Sequence, residues 1–110
     1  MGRCSMKMIR AIVRPEKLDK VADALEEAGF VALTKLDVFG RGKQKGIRVG
    51  EMVYDNLSKT MLMIVVDDEK LEEAVKAIEE SARTGNIGDG KIFVTPVEEA
   101  YTIRTGARGL

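Results

Sequence analysis

Histidine is absent from this chain of 110 residues, and cysteine occurs once. Without an imidazole there is no Ser/His or Cys/His nucleophile pair, and the commonest metal ligand is missing. The lone Cys4 leaves no internal disulfide. Aromatic residues make up 5% of the chain, and Phe93 alone stands on a strand suited to stacking a base. Lysine plus arginine equals aspartate plus glutamate at 18 each, so the basic excess of a dedicated nucleic-acid binder is lacking too. No apolar run reaches membrane-spanning length and no secretory h-region opens the chain, so no membrane insertion and a cytoplasmic location are expected. The helical segments carry Glu26, Glu27, Glu72, Glu73, Glu79 and Glu80, where solubility explains them. No carboxylate pair faces another across a cleft, so an enzyme is not expected. A small nucleotide-hydrolysing enzyme is kept as a rival, and a purely structural module as another.

What is present is regular. One domain is expected over 6–110, behind a short segment 1–5 that reads as an N-terminal extension or an added remnant. "MKMIRAIVRP" alternates, with Ile9, Ala11 and Val13 on one side and Arg10, Ile12 and Arg14 on the other, and predicts a strand closed by Pro15 at a first helical position. Leu18, Val21, Ala22, Leu25 and Ala28 keep helical spacing up to a capping Gly29. "FVALTKLDVF" (30–39) predicts a second strand, and the Gly- and Lys-rich stretch 40–56, which has no clean period, a long exposed loop. "LSKTMLMIVV" (57–66) predicts a buried strand, and Asp67 and Asp68 are natural caps for a second helix through Leu71, Ala74, Val75, Ile78 and Ala82. "KIFVTPV" (91–97) predicts a last strand, and Tyr101–Thr105 a short β-like piece. "EKLDKVADALEEA" also echoes "EKLEEAVKAIEES". The order β-α-β, long loop, β-α-β implies an α+β, ferredoxin-like split βαβ sandwich with both helices on one face. The other face, with Met8, Ile12, Met61, Met63 and Val65, is apolar enough to imply self-association.

"ARTGNIGDGKIFV" (82–94) packs three glycines into six residues ahead of a strand. One reading is a Gly85 helix cap followed by a turn at Asp89-Gly90. The other is an anion cradle, in which Gly88 and Gly90 expose backbone N–H groups and Lys91 supplies charge. A Walker-type loop is excluded, because it runs strand-loop-helix and this one runs helix-loop-strand. The tripeptide Arg-Thr-Gly recurs at 83–85 and 104–106, and Arg104 is either a solvated cation or a bidentate phosphate ligand. "GRGKQKG" sets Arg41, Lys43, Gln44 and Lys45 between glycines. It is either a solvated face or, through the Gln44 carbonyl, a place for Mg²⁺ beside phosphates.

From Met6 onward, "IRAIVRPEKLDKVADAL", "GRGKQKG" and above all "TGNIGDGKIFV" with "TIRTG" resemble the PII nitrogen-signalling family. The resemblance implies a trimer of ferredoxin-like subunits that binds ATP or ADP between neighbours, binds 2-oxoglutarate with Mg-ATP, and engages targets through a long T-loop. By position it implies nucleotide contacts at Ile12, Thr34, Gly42, Lys43, Gln44, Thr60, Gly88, Asp89, Gly90, Lys91, Thr102, Ile103 and Arg104, the last from a neighbouring subunit. It also implies 2-oxoglutarate contacts at Lys43, Gln44 and Lys91, Mg²⁺ at Gln44, and partner contacts from T-loop residues Arg41, Lys45, Arg48 and Tyr54. Lys43 stands where the family usually has Arg, and Thr102 where the tail has another Arg, so weaker phosphate contacts are expected. The loop is shorter than in enteric-type members, and Tyr54 does not align with their uridylylated tyrosine. That shortened loop most resembles the archaeal-type PII-like proteins linked to nitrogenase, the first of a pair. The partners implied are a second copy or a paralogous PII-like subunit, and a nitrogenase component. A general PII acting on an ammonium channel or glutamine synthetase is the alternative.

Overall fold

A computed structural model describes residues 5–40, 47–49, 52–54 and 57–110. Strand β1 (Met6–Val13) leads through a 3-10 turn into helix α1 (Leu18–Glu27), then into β2 (Thr34–Gly40). Short strands β3 (Ile47–Val49) and β4 (Met52–Tyr54) follow, then β5 (Leu57–Asp67), a second 3-10 turn, α2 (Leu71–Ala82) and β6 (Gly90–Val97). Four strands form one antiparallel sheet in the order β2-β5-β1-β6. That is the split βαβ topology: each half's strands are separated so that β1 and β5 lie side by side at the centre.

Period-two alternation decides the two faces. Ile9, Ala11 and Val13 of β1 and Leu62, Ile64 and Val66 of β5 are buried against Val21 and Leu25 of α1 and Ala74, Ile78 and Ala82 of α2. The intervening Met8, Arg10, Ile12, Met61, Met63 and Val65 are only half-buried, on the face the helices leave open. In register across that face run the rows Thr34–Met63–Arg10–Phe93 and Leu36–Met61–Ile12–Lys91.

The two strand-to-helix junctions match in detail. Arg14 (ψ 137) and Asp67 (ψ 149) are both extended, and each precedes a 3-10 turn, Pro15–Lys17 or Asp68–Lys70. Pro15 therefore opens a 3-10 turn rather than the α-helix itself. Neither junction has a side-chain cap. Asp68 instead pairs with Lys7 at 3.0 Å, across the start of the sheet, which takes its carboxylate away from the helix amides.

The helix exits differ. Gly29 (φ 97) closes α1 with two bonds, Gly29 N–H to the Glu26 carbonyl at 3.0 Å and Phe30 N–H to Leu25 at 2.8 Å. This is the paired bonding of a Schellman cap. Phe30 and Leu33 then pack on the core, so β2 begins at Thr34, later than the apolar run from residue 30 predicts. Helix α2 ends at an extended Arg83 (ψ 131), not at a Gly85 cap.

The stretch expected as plain loop contains a two-stranded antiparallel ribbon, Ile47↔Tyr54, Arg48↔Val53 and Val49↔Met52. Residues 41–46, and with them Arg41, Gly42, Lys43, Gln44 and Lys45, lie outside the described residues. No helix among the described residues is long and apolar enough to cross a membrane.

Candidate functional site at the Gly88–Lys91 loop

Between α2 and β6 the chain turns on one carboxylate. Asp89 Oδ2 accepts the N–H of Thr84 at 2.8 Å and of Gly85 at 2.9 Å. Its Oδ1 accepts the Thr84 hydroxyl and, at 3.1 Å, Nε of Arg14. The Thr84 hydroxyl oxygen accepts Asn86 N–H at 3.1 Å. These bonds, the Thr84 hydroxyl foremost, hold the Asp89 carboxyl well below the usual carboxylate range.

Two cations fasten the other side of the loop. Arg14 donates a second bond to the Ile87 carbonyl at 2.9 Å, and Lys59 Nζ donates to the Gly88 carbonyl at 2.5 Å. Burial, then the neighbouring Arg14 charge, lowers the Lys59 pKa. Ile87 and Gly88 form the centre of a turn that brings Asp89 N–H back to the Asn86 carbonyl, and the N–H groups of Ile87 and Gly88 themselves have no hydrogen-bond partner among the described residues.

Gly90 admits no side chain. Its φ is 111, and a Cβ there would fall 1.7 Å from the Ile12 carbonyl oxygen. Gly88 (φ 100) likewise needs the left-handed region that favours glycine. The loop thus lies directly on the end of β1, and Lys91 follows it in register with Ile12 on the open face. Strand alternation puts Arg14 beyond Ile12 and Lys59 beyond Met61 on that same face. One end of the open face therefore carries Arg14, Lys59 and Lys91 near two unpartnered amides. Such an arrangement suits a compact polyanion.

One chain brings together Ile12, Gly88, Asp89, Gly90 and Lys91. The other candidates among the described residues stand apart from these. Thr34 sits on edge strand β2, three strand spacings (about 14 Å) across the sheet and two residues (about 7 Å) along it from Lys91. Thr60 is 3% exposed on the helix-covered face, because its parity is that of Leu62 rather than Met61. Thr102, Ile103 and Arg104 leave from the far end of β6, about 24 Å from Gly90 along the strand.

The tail is a turn rather than the expected β-like piece. Gly106 N–H bonds Thr102 O at 2.7 Å, Thr102 N–H bonds Ala107 O at 2.9 Å, and Tyr101 bridges to Arg108. Its base lines a cleft of about 370 Å³ with Met6, Asp67 and Glu98. Ile103 at its tip is fully exposed, at 101%.

Arg14 and Lys59 were not singled out from the sequence. Both continue the alternation of the open face, but a cation at a strand end is ordinarily solvated, and only the fold shows that Arg14 meets Asp89 and Lys59 meets Gly88. Arg48 and Tyr54 fall on β3 and β4. Among the described residues no cluster of three or more His, Cys, Asp or Glu side chains is placed to hold a metal.

The family model "Nitrogen regulatory protein P-II" matches residues 6–107. The chain belongs to the P-II family. It is 66% identical to "Nitrogen fixation nifHD region GlnB-like protein 1" of Methanothermobacter marburgensis, over 96% of this chain and 100% of that one. It is 49% identical to "Nitrogen regulatory protein P-II" of Azospirillum brasilense, over 94% of this chain and 96% of that relative. Among solved structures, Arabidopsis thaliana PII bound to citrate superposes with a TM-score of 0.82 at 39% identity, covering 96% of this chain and 90% of that one.

Proposed function

We propose that this P-II protein reports nitrogen and energy status, binding ATP or ADP and 2-oxoglutarate and regulating nitrogen fixation by docking on a nitrogenase component. The observation that carries the nucleotide part is the loop: the unpartnered amides of Ile87 and Gly88 beside Arg14, Lys59 and Lys91 fit a polyphosphate. Gly88, Gly90 and Lys91 wrap the phosphates, and Lys91 neutralises them. Ile12 borders the loop, and Thr34, on the same open face, belongs to the base-binding side; Thr60, turned toward the helices, offers its backbone there rather than its side chain.

Thr102, Ile103 and Arg104 serve a neighbour's site. Their place at the opposite end of β6 from Gly90 favours this, as does the fully exposed Ile103. The assembly is then a trimer of this chain or a mixed oligomer with a paralogue.

Gly42, Lys43 and Gln44 join Lys91 in holding the nucleotide and 2-oxoglutarate, and Gln44 is the Mg²⁺ ligand. Arg41, Lys45, Arg48 and Tyr54 face the target. An effector changes docking only through unequal affinity for the loop's states, so 2-oxoglutarate with Mg-ATP favours the released form. The protein is a regulator rather than a catalyst, and acts in the cytoplasm. The nifHD naming of the archaeal relative supports nitrogen fixation as the process. The Azospirillum likeness keeps a second reading open, a general regulator of an ammonium channel or glutamine synthetase.

Calorimetry with Mg-ATP, with and without 2-oxoglutarate, tests the sensor. Binding of 2-oxoglutarate only in the presence of Mg-ATP is expected, and an indifferent wild-type protein sinks the reading. Recovery of dinitrogenase rather than a channel or synthetase on the immobilised protein separates the two targets.

A further inference from the structure

A carboxylate inside a loop that receives a polyanion is a liability unless its charge is spent elsewhere. Asp89 spends all of it inward. A carboxylate offers about four acceptor positions. Those of Asp89 are taken by Thr84 N–H, Gly85 N–H, the Thr84 hydroxyl and Arg14 Nε. Two consequences follow from the same bonds. The amides N-terminal to Asn86 are consumed, and Asn86 itself is held by the Thr84 hydroxyl. The next two amides, those of Ile87 and Gly88, have no partner among the described residues. Arg14 meanwhile bridges the Asp89 carboxylate at 3.1 Å and the Ile87 carbonyl at 2.9 Å, so one guanidinium fixes both sides of the turn.

Resting on the nucleotide reading above, we propose that the Asp89 side chain is a positioning residue. It sorts the loop's amides into an inner set bound by the protein and an outer set presented to phosphate, without touching the nucleotide. Its own backbone N–H closes the turn on the Asn86 carbonyl and belongs to neither set. This gives the acid a positive role in binding an anion.

The sign of one substitution decides the matter. Asp89→Asn removes a negative charge from a phosphate site but replaces one acceptor oxygen by an NH₂ that faces donors. If the carboxylate were a bystander, Asp89→Asn would bind Mg-ATP as tightly as wild type or more tightly. If it positions the amides, Asp89→Asn binds at least tenfold more weakly. Asp89→Glu, with the charge kept and its place moved, is weakened as well.

The experiment is Mg-ATP calorimetry on wild type, Asp89→Asn, Asp89→Glu and Thr84→Val, with Lys91→Ala as the contact control and circular dichroism as the check on folding. Thr84→Val, the mildest change, is expected to lose severalfold and covers the case in which an Asp89 variant fails to fold. Amide NMR supplies the readout that general destabilisation would not give. The Thr84 and Gly85 amides should lose their carboxylate-bonded shifts in Asp89→Asn, and the Gly88 amide its response to Mg-ATP. Unchanged or tighter binding by folded Asp89→Asn overturns the proposal while leaving the nucleotide reading intact. A wild-type protein that ignores Mg-ATP overturns both.

Discussion

The tripeptide Arg-Thr-Gly occurs at both ends of the last strand, and the two copies begin alike. In each, the threonine hydroxyl oxygen accepts the N–H two residues on, Asn86 to Thr84 and Ala107 to Thr105, both at 3.1 Å. In each, the glycine is left-handed, Gly85 at φ 88 and Gly106 at φ 73. They then diverge. Five residues past Thr84 stands Asp89, which gathers Thr84, Gly85 and Arg14 into a closed loop lying on β1. Five residues past Thr105 stands Leu110, and that turn closes on its own segment, through Gly106 to Thr102 and an Arg108–Glu99 pair at 3.5 Å. Arg83 pairs back to Glu79 at 3.3 Å, whereas the Arg104 side chain has no partner among the described residues. Local sequence writes the same turn twice. A single tertiary carboxylate makes one of them a site and leaves the other a free-standing tip.

The largest expected difference between the two ends is steric. Gly90→Ala puts a Cβ 1.7 Å from a backbone oxygen and should cost about 3 kcal/mol or more, lowering the denaturant midpoint sharply. Gly106→Ala has open space and pays only its left-handed φ, about 1 kcal/mol. Equal costs at the two positions would show that the loop does not rest on β1.

Next comes a test of whether the two ends serve one site. Lys91→Ala and Arg104→Ala should each weaken Mg-ATP binding by tenfold or more, about 1.4 kcal/mol. Co-expressed, the two variants should recover a fraction of full-affinity sites, because an intact loop on one chain then meets an intact tail on another. A mixture with no tight sites would place both residues in the same chain's site.

A smaller effect compares the threonines. Thr84→Val loses bonds to Asp89 and Asn86, whereas Thr105→Val loses only the bond to Ala107, so chemical denaturation should separate them by about 1 kcal/mol.

The subtlest is pH. Asp89 is ionised in the folded loop well below the ordinary 3.8, so its folded pKa is depressed. Its stabilisation is therefore fully present above that value. It is lost as pH falls below 3.8 toward the folded pKa, since the unfolded chain takes up the proton first. The stability gap between wild type and Asp89→Asn should hold steady from neutral pH to about that point and then close. A gap that closes at higher pH would mean the carboxylate is not held by these donors.

Much of the fold could be read directly, because burial follows period. Ile9, Ala11 and Val13 were legible as one face of β1 and Val21 and Leu25 as the inner stripe of α1, and the duplicated pattern gave the order of halves. Boundaries were less legible. Phe30–Leu33 look like strand, since apolar residues that plug a core and those that pair in a sheet have the same composition. Asp67 and Asp68 look like caps, but Lys7 competes for the carboxylate across 61 residues of chain. The ribbon at Ile47–Tyr54 was missed because three-residue strands are too short to show a period.

At the site, Gly88, Gly90 and Lys91 stood out from composition alone. Arg14 and Lys59 did not, because a cation at a strand end is ordinarily solvated. Nothing local marks the two as meeting a loop that arrives from more than 70 residues away in one case, as the Arg14 to Ile87 separation of 73 shows.

The sequence by itself determined the alternating strands, the two amphipathic helices and the glycines that only a left-handed backbone uses, since each depends on neighbours a few residues apart. Only the tertiary structure decided which end of the sheet each cation occupies, that Thr60 faces the helices, and that the Asp89 carboxylate turns inward. Those outcomes depend on register and on partners distant in the chain. A one-residue shift in either would exchange the faces and leave the local pattern unchanged.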